Sequence, residues 1–299
     1  MLNKSSKVLL IGGCGYIGSY IYLNLLKCSY DVTVCDYVSR GNPLNIDIKC
    51  VDYSELESDF IMDFDYVIWF GGHSSVSQST EDPNGALVNN CLNLFKLAKI
   101  IPKDTKFIYA SSASLYSSKT IPTPISYENS IAAIPSNNPY DISKFAFDYL
   151  AENFMSNFYG LRMGTLCGYS PNLRQELVFN SMNLSAVQNG FLNLMNSNSS
   201  RTILFLEDLW IFIKKLLATN QQPGFFNVGS YSMSMGELAT EIANAHKAQV
   251  IYKGDTNTYS FLMDTTKMKA ICGSELKEKT LNSRCQEFIA ECKHNNILT

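Results

Sequence analysis

The sequence predicts an α/β fold, with a doubly wound parallel sheet followed by a smaller C-terminal α/β lobe. Two observations carry this expectation. Short apolar or β-branched runs alternate with stretches of helical periodicity as far as about Gly168, and a glycine cluster joins the first run to the first helix. Strands that alternate with helices pair in parallel, and right-handed crossovers cover both faces, which is the Rossmann arrangement. The chain has 299 residues, 46% hydrophobic and 17% charged, a composition that supports a buried core without disulfide or metal staples.

Lys7–Ile11 (KVLLI) is an apolar run closed by glycine, as suits a strand covered on both faces. Gly15–Lys27 then sets Ile17, Ile21 and Leu25 at helical spacing. Asp31–Cys35, Ile46–Val51, Asp65–Phe70 and Lys106–Ala110 read as the second to fifth strands, with a helix over about Ala86–Lys99. A helix over Pro139–Phe158 precedes a sixth strand at Leu161–Cys167. Further on, helices are expected over Leu173–Gln188, Asp208–Ala218 and Ser234–His246, and a short strand at Phe225–Val228. Residues 1–168 thus read as a cofactor-binding domain and 169–299 mainly as a substrate lobe, with segments near 201–230 returning to the first domain.

The net charge of −3 argues against a nucleic-acid partner, which calls for a basic face. The nine cysteines are odd in number and show no CxxC spacing, so they read as reduced thiols of a cytoplasmic protein. Three scattered histidines without a Cys/His cluster imply no metal site. Val8–Leu26 carries no charge, yet four glycines and the polar Ser19 and Asn24 interrupt it, so no membrane segment is expected.

The glycines fall as Gly12-xx-Gly15-xx-Gly18 between a strand and a helix. Such a turn lets backbone N–H groups approach a pyrophosphate at the helix N-terminus. Asp36 ends the second strand 18 residues after Gly18, placed to accept hydrogen bonds from a ribose diol and to repel a 2′-phosphate. NAD is therefore the expected cofactor, and Arg40 keeps NADP as the alternative. Two further clusters belong to the cleft, Ser111 to Tyr116 after the fifth strand and Tyr140-xxx-Lys144 at the start of the long helix. Tyr140 and Lys144 stand at i and i+4 and share a helix face, where an ammonium favours phenolate. Such a phenol is a general acid or base for a sugar hydroxyl or ketone, and a serine hydroxyl opposite can hold the same oxygen.

In this order and spacing, these motifs resemble the extended short-chain dehydrogenase/reductases, and within them the NAD-dependent nucleotide-sugar epimerases and dehydratases. "VTVCDYVSRGN" (Val32–Asn42) resembles the family's second strand and loop with Tyr37 in place of Asn, and "LRMGTLCG" (Leu161–Gly168) its Leu-Arg-x-x-Asn-Val-Tyr-Gly with Thr165 in place of Asn. "VIWFGGHSSVSQS" (Val67–Ser79), "RTILFLEDL" (Arg201–Leu209) and "GFFNVGS" (Gly224–Ser230) are also similar. The resemblance implies that Ser112, Tyr140 and Lys144 are catalytic. It implies a cofactor site of Gly12, Gly15, Tyr16, Ile17, Gly18, Asp36, Asp52, Tyr53, Phe70, Gly71, Gly72, Asn90, Ser111, Tyr140 and Lys144. The nucleotide-sugar substrate would meet Ser112, Ser114, Tyr140, Thr165, Arg174, Asn180 and Arg201. It also implies a homodimer through the helices near Ala86–Lys99 and Pro139–Phe158. His73 is expected to hold its loop by hydrogen bonding, since Tyr140 fills the acid/base role.

Family 4,6-dehydratases carry an Asp–Glu pair after the catalytic Ser/Thr, where this chain has Ala113-Ser114, so 4,6-dehydration is not expected. The reading is an NAD-dependent nucleotide-sugar epimerase working by transient oxidation at C4 to a 4-keto sugar and hydride return. Its alternative is an NADPH-dependent nucleotide-4-keto-sugar reductase, and in another class a non-catalytic dinucleotide-binding sensor module.

Overall fold

The computed structural model describes residues 5–119, 122–130, 138–256, 258 and 260–298. Its strands are β1 (Lys7–Ile11), β2 (Asp31–Cys35), β3 (Ile48–Cys50), β4 (Tyr66–Trp69), β5 (Lys106–Ser112), β6 (Ile125–Ser126), β7 (Phe158–Met163) and β8 (Thr165–Cys167). Then follow β9 (Phe191–Leu194), β10 (Ser200–Phe205), β11 (Gly224–Val228), β12 (Tyr231–Ser234), β13 (Gln249–Tyr252) and β14 (Leu262–Met263). Seven strands build one sheet in the order β11-β7-β5-β4-β1-β2-β3. Every pairing in it is parallel. The chain order reverses between β1 and β4, the point at which open α/β sheets form a ligand crevice.

The central strands are buried on both faces, Val8 to Ile11 and Val67 to Trp69 being almost without exposure, because helices cover both sides. The uncharged run Val8–Leu26 divides at the glycine loop into β1 and the helix Tyr16–Lys27. No helix among the described residues is long and apolar enough to cross a membrane.

Three expected elements differ. The long helix ends at Phe154, with Met155 already extended, and β7 begins at Phe158. The expected sixth strand divides at Gly164, where a Cβ would lie 2.5 Å from Thr202 O, and the chain leaves the large sheet. β8 instead pairs with β10, which also pairs with β12. The helix expected from Leu173 begins at Val178. The helix Leu206–Ala218 packs its apolar face into the core of the large sheet, and β11 joins that sheet beside β7. A second core gathers Phe179, Leu192, Phe205, Leu238 and Phe288 beside the first.

Candidate active site

Over the carboxyl ends of β1, β2, β4 and β5 lies a cleft of about 650 Å³, lined from Gly12 and Asp36 at one end to Tyr140 and Lys144 at the other. That is a normal size for a small-molecule or cofactor site. Its floor is the glycine loop. Gly12 has φ +82°, and a Cβ there would lie 2.5 Å from Gly71 N, so the loop can sit against the end of β4 only with glycine at this position. At Gly18 a Cβ would fall 1.9 Å from Gly12 O, so the helix packs directly on the turn. Gly15 is the N-cap of the helix Tyr16–Lys27 and offers no side chain to cap it, which leaves first-turn amides to a ligand oxygen. Gly18→Ala is expected to cost about 1–3 kcal/mol by overpacking this contact. Thermal unfolding with and without NAD checks it, and an unchanged midpoint would mean the helix can stand back from the turn.

Asp36 lines the cleft at the end of β2. Its carboxylate accepts the N–H of Cys14 at 2.8 Å and that of Val38 at 2.7 Å, so it also fastens the glycine loop. From the other side, Asn172 donates to Cys14 O at 2.7 Å and to Arg40 O at 3.0 Å, Ser170 Oγ donates to Tyr16 O at 2.6 Å, and the Tyr16 hydroxyl donates to Gly168 O at 2.7 Å. The segment Gly168–Asn172 is thus a strap across the loop. Arg40 and Arg174 both reach Ser74 Oγ, at 3.5 and 3.4 Å. Arg40 is therefore turned across the rim of the cleft.

At the far end, Pro139 at N1 and Asn138 as N-cap start the helix Pro139–Phe154 and set Tyr140 in its first turn. Lys144 follows one turn later, with Nζ 5.8 Å from the Tyr140 ring centroid and 4.5 Å from that of Trp69. It donates to Ala110 O at 2.9 Å. Burial pushes its ammonium down to about 7, against the opposing pull of Asp148. Below this pair lies a buried ionic network in which Arg162 Nε meets Asp148 Oδ2 at 3.0 Å and Asp148 accepts the Tyr109 and Ser111 hydroxyls, each at 2.9 Å. The network holds the end of β5 against the helix.

Of the expected residues, Gly12, Gly15, Tyr16, Ile17, Gly18, Asp36, Tyr53, Phe70, Gly71, Gly72, Ser111, Tyr140, Lys144 and Arg174 line the cleft. Seven others, Asp52, Asn90, Ser112, Ser114, Thr165, Asn180 and Arg201, do not. The Asp52 side chain caps the turn after β3, accepting Ser54 N–H at 2.8 Å, and lines a neighbouring hollow. Asn90 is fully buried and donates to His73 O and Ser143 Oγ, both at 3.1 Å. Its position leaves Gly72 no room for a Cβ, which would lie 2.3 Å from Asn90 Oδ1. Asn180 holds the turn before its own helix, accepting Gly168 N–H at 3.0 Å and donating to Arg174 O at 2.9 Å. Arg201 lies over the Phe261 ring at 4.9 Å and donates to Ser199 Oγ at 3.1 Å. Ser112 and Ser114 are buried beside Ser111, with their hydroxyl oxygens 2.8 Å apart. His73 lines the cleft with Nε2 3.5 Å from Asp82 Oδ2. Among the described residues no group of three His, Cys, Asp or Glu could hold a metal.

Sequence reading missed Asp141, Asp148, Arg162, Ser170 and Asn172. Asp141 stands next to Tyr140, but only the fold brings it to Ser114, 27 residues away.

Residues 8–229 match the model of the NAD-dependent epimerase/dehydratase family, about three quarters of the chain, and the chain belongs to this family. The UDP-glucose 4-epimerase of Halalkalibacterium halodurans is 29% identical over 180 residues, 56% of this chain and 53% of that protein. That of Mycoplasma pneumoniae is 28% identical over 233 residues, 72% of this chain and 62% of that protein. The aligned regions thus span little more than half of these relatives. Among solved structures, an NAD-dependent NDP-hexosamine 5,6-dehydratase of tunicamycin biosynthesis superposes with a TM-score of 0.81 at 20% identity, covering 97% of this chain and 98% of that one. The seven-stranded sheet with its flanking helices is therefore the family's Rossmann fold.

Proposed function

We propose that the protein is an NAD-dependent nucleotide-sugar epimerase that works through a 4-keto sugar. The observation that carries this is a single cleft that runs from an uncapped helix N-terminus at Gly15 to the Tyr140–Lys144 pair. The glycine loop fits a pyrophosphate and Asp36 fits the adenosine ribose. NAD, when bound, supplies hydride acceptance from sugar C4 and hydride return to the opposite face. Tyr140 takes the hydroxyl proton as the alcohol becomes ketone and gives it back on return. Lys144, buried against the Trp69 ring and Ala110 O, holds its amino group one helical turn from the phenol. Arg174 at the rim suits a nucleotide diphosphate.

The test begins with the protein as purified. Denaturation followed by chromatography and mass spectrometry identifies any nucleotide it carries. Near-stoichiometric NAD, with epimerisation of one of the UDP-, GDP- or dTDP-hexoses, is the expected result. An empty site that prefers NADPH would replace this reading with a 4-ketoreductase. A chain that binds neither dinucleotide is no enzyme of this kind.

A further inference from the structure

At the outer edge of the large sheet two cysteines stand side by side, in a chain whose cysteines are all free thiols. Cys35 ends β2 and Cys50 ends β3, and the two are paired in register across parallel strands. Lys49 is an extra residue between Ile48, which pairs with Val34, and Cys50. The Cys35 thiol donates to Cys50 Sγ at 2.8 Å, and the Cys50 thiol donates to Asp52 O at 3.2 Å. The sulfurs thus lie only about 0.8 Å beyond the length of a disulfide bond. Neighbouring strands stand about 4.8 Å apart, inside the Cα separations that disulfides span. A bond can close here with little movement of the backbone.

The surroundings decide which sulfur reacts first, and with what. Cys35 is buried in the wall of the cofactor cleft, whereas Cys50 is half-buried and lines the neighbouring hollow. Burial pushes both thiols up, but the hydrogen bond received from Cys35 pulls Cys50 down again. Cys50 is therefore the sulfur that ionises and meets solvent. Asp52, Glu55 and Glu57 line the hollow against one cation, Lys49, itself paired with Asp47. This excess of negative charge disfavours an anionic oxidant and admits a small neutral one.

We propose that Cys35 and Cys50 are a reversible oxidative modification site, which a hydroperoxide closes to a disulfide. The Cys50 thiolate attacks one peroxide oxygen, the O–O bond breaks, and the other oxygen takes up the proton that Cys50 released and leaves as water. Cys35 then displaces the sulfenic oxygen of Cys50. The S–S bond forms, the S–O bond breaks, and that oxygen leaves as water with the Cys35 proton. Two thiols lose two electrons and the peroxide gains them. A small thiol reverses the step by exchange at Cys50, the sulfur that solvent reaches. Closing the bond staples β3, which has only β2 as a neighbour in the sheet, and holds the strand end where Asp36 N–H donates to Cys50 O at 3.0 Å. The site stands on this geometry whatever sugar the protein acts on.

The test uses Cys28→Ser protein, since Cys28 is exposed and would compete for the oxidant. With hydrogen peroxide in slight excess, the thiols titrated after unfolding should fall by two, and peptide mapping without reductant should find the Cys35 and Cys50 peptides joined. The thermal midpoint should rise by about 5 °C, because a cross-link over a loop of this length removes freedom from the unfolded chain. Dithiothreitol should restore both values. Adding Cys50→Ser or Cys35→Ala should abolish the loss of thiols, and the first of these, at a half-buried position, keeps the fold. A disulfide that maps to another pair, a Cys50 sulfinic acid without a cross-link, a midpoint unchanged or lower, or no loss of thiols overturns the proposal. So does a pair that joins only after urea has unfolded the chain.

Discussion

Tyr140→Phe is expected to lower turnover of a nucleotide-sugar by about a thousandfold, within the range for loss of a positioned acid/base, while NAD affinity stays nearly unchanged. The phenyl ring keeps the volume that lines the cleft beside Lys144 Nζ, whereas the hydroxyl that exchanges a proton with the sugar is gone. Steady-state rates with UDP-hexoses and a titration of NAD binding measure the two effects separately. A variant that turns over at the normal rate removes Tyr140 from the chemistry. A variant that loses NAD binding as well makes the tyrosine part of the fold and not of the reaction.

The largest stability effect is expected at Arg162. The residue is buried, with Nε 3.0 Å from Asp148 Oδ2, a second nitrogen donating to the Tyr116 hydroxyl at 2.9 Å, and the guanidinium 4.0 Å from the Phe225 ring centroid. Arg162→Met leaves the Asp148 carboxylate buried and uncompensated, at a cost of about 3–5 kcal/mol. Adding Asp148→Asn to that variant should recover a large part of the loss. The pH dependence has a definite sign. Burial holds the Asp148 carboxyl above the usual carboxylate range, against the opposing pull of Arg162. A carboxyl raised in the folded state keeps a proton that the unfolded chain releases, so stability falls as pH rises through that interval. Without Arg162 the interval extends upward, and the deficit of R162M should be larger at neutral pH than in mild acid. Urea unfolding at both conditions measures it. An equal deficit at both would mean that loss of packing, and not charge, sets the cost.

Much of this site is legible along the chain because its parts are local. Gly12, Gly15 and Gly18 fall within one strand–helix junction, and Asp36 ends the next strand, where backbone geometry decides what lies near what. Tyr140 and Lys144 share a helix face for the same reason. The break at Gly164 was not legible, since the atom that forbids a side chain there is Thr202 O, on a strand that comes much later. Nor was Asp141 legible as a partner of Ser114, since 27 residues separate them and only the packing of the helix Pro139–Phe154 against the end of β5 brings them together.

The sequence by itself determined the class of fold, the strand–helix junction that carries the glycine turn, and the helix face that Tyr140 and Lys144 share. Each follows from the spacing of a few neighbouring residues. Only the tertiary structure decided that Asp36 fastens the glycine loop, that Ser170 and Asn172 strap it from more than 150 residues away, and that Asp141 stands behind Ser114. These contacts depend on where separate elements come to rest against one another. Side-chain direction and partner choice between elements are set by the packing of the core, which no local spacing records.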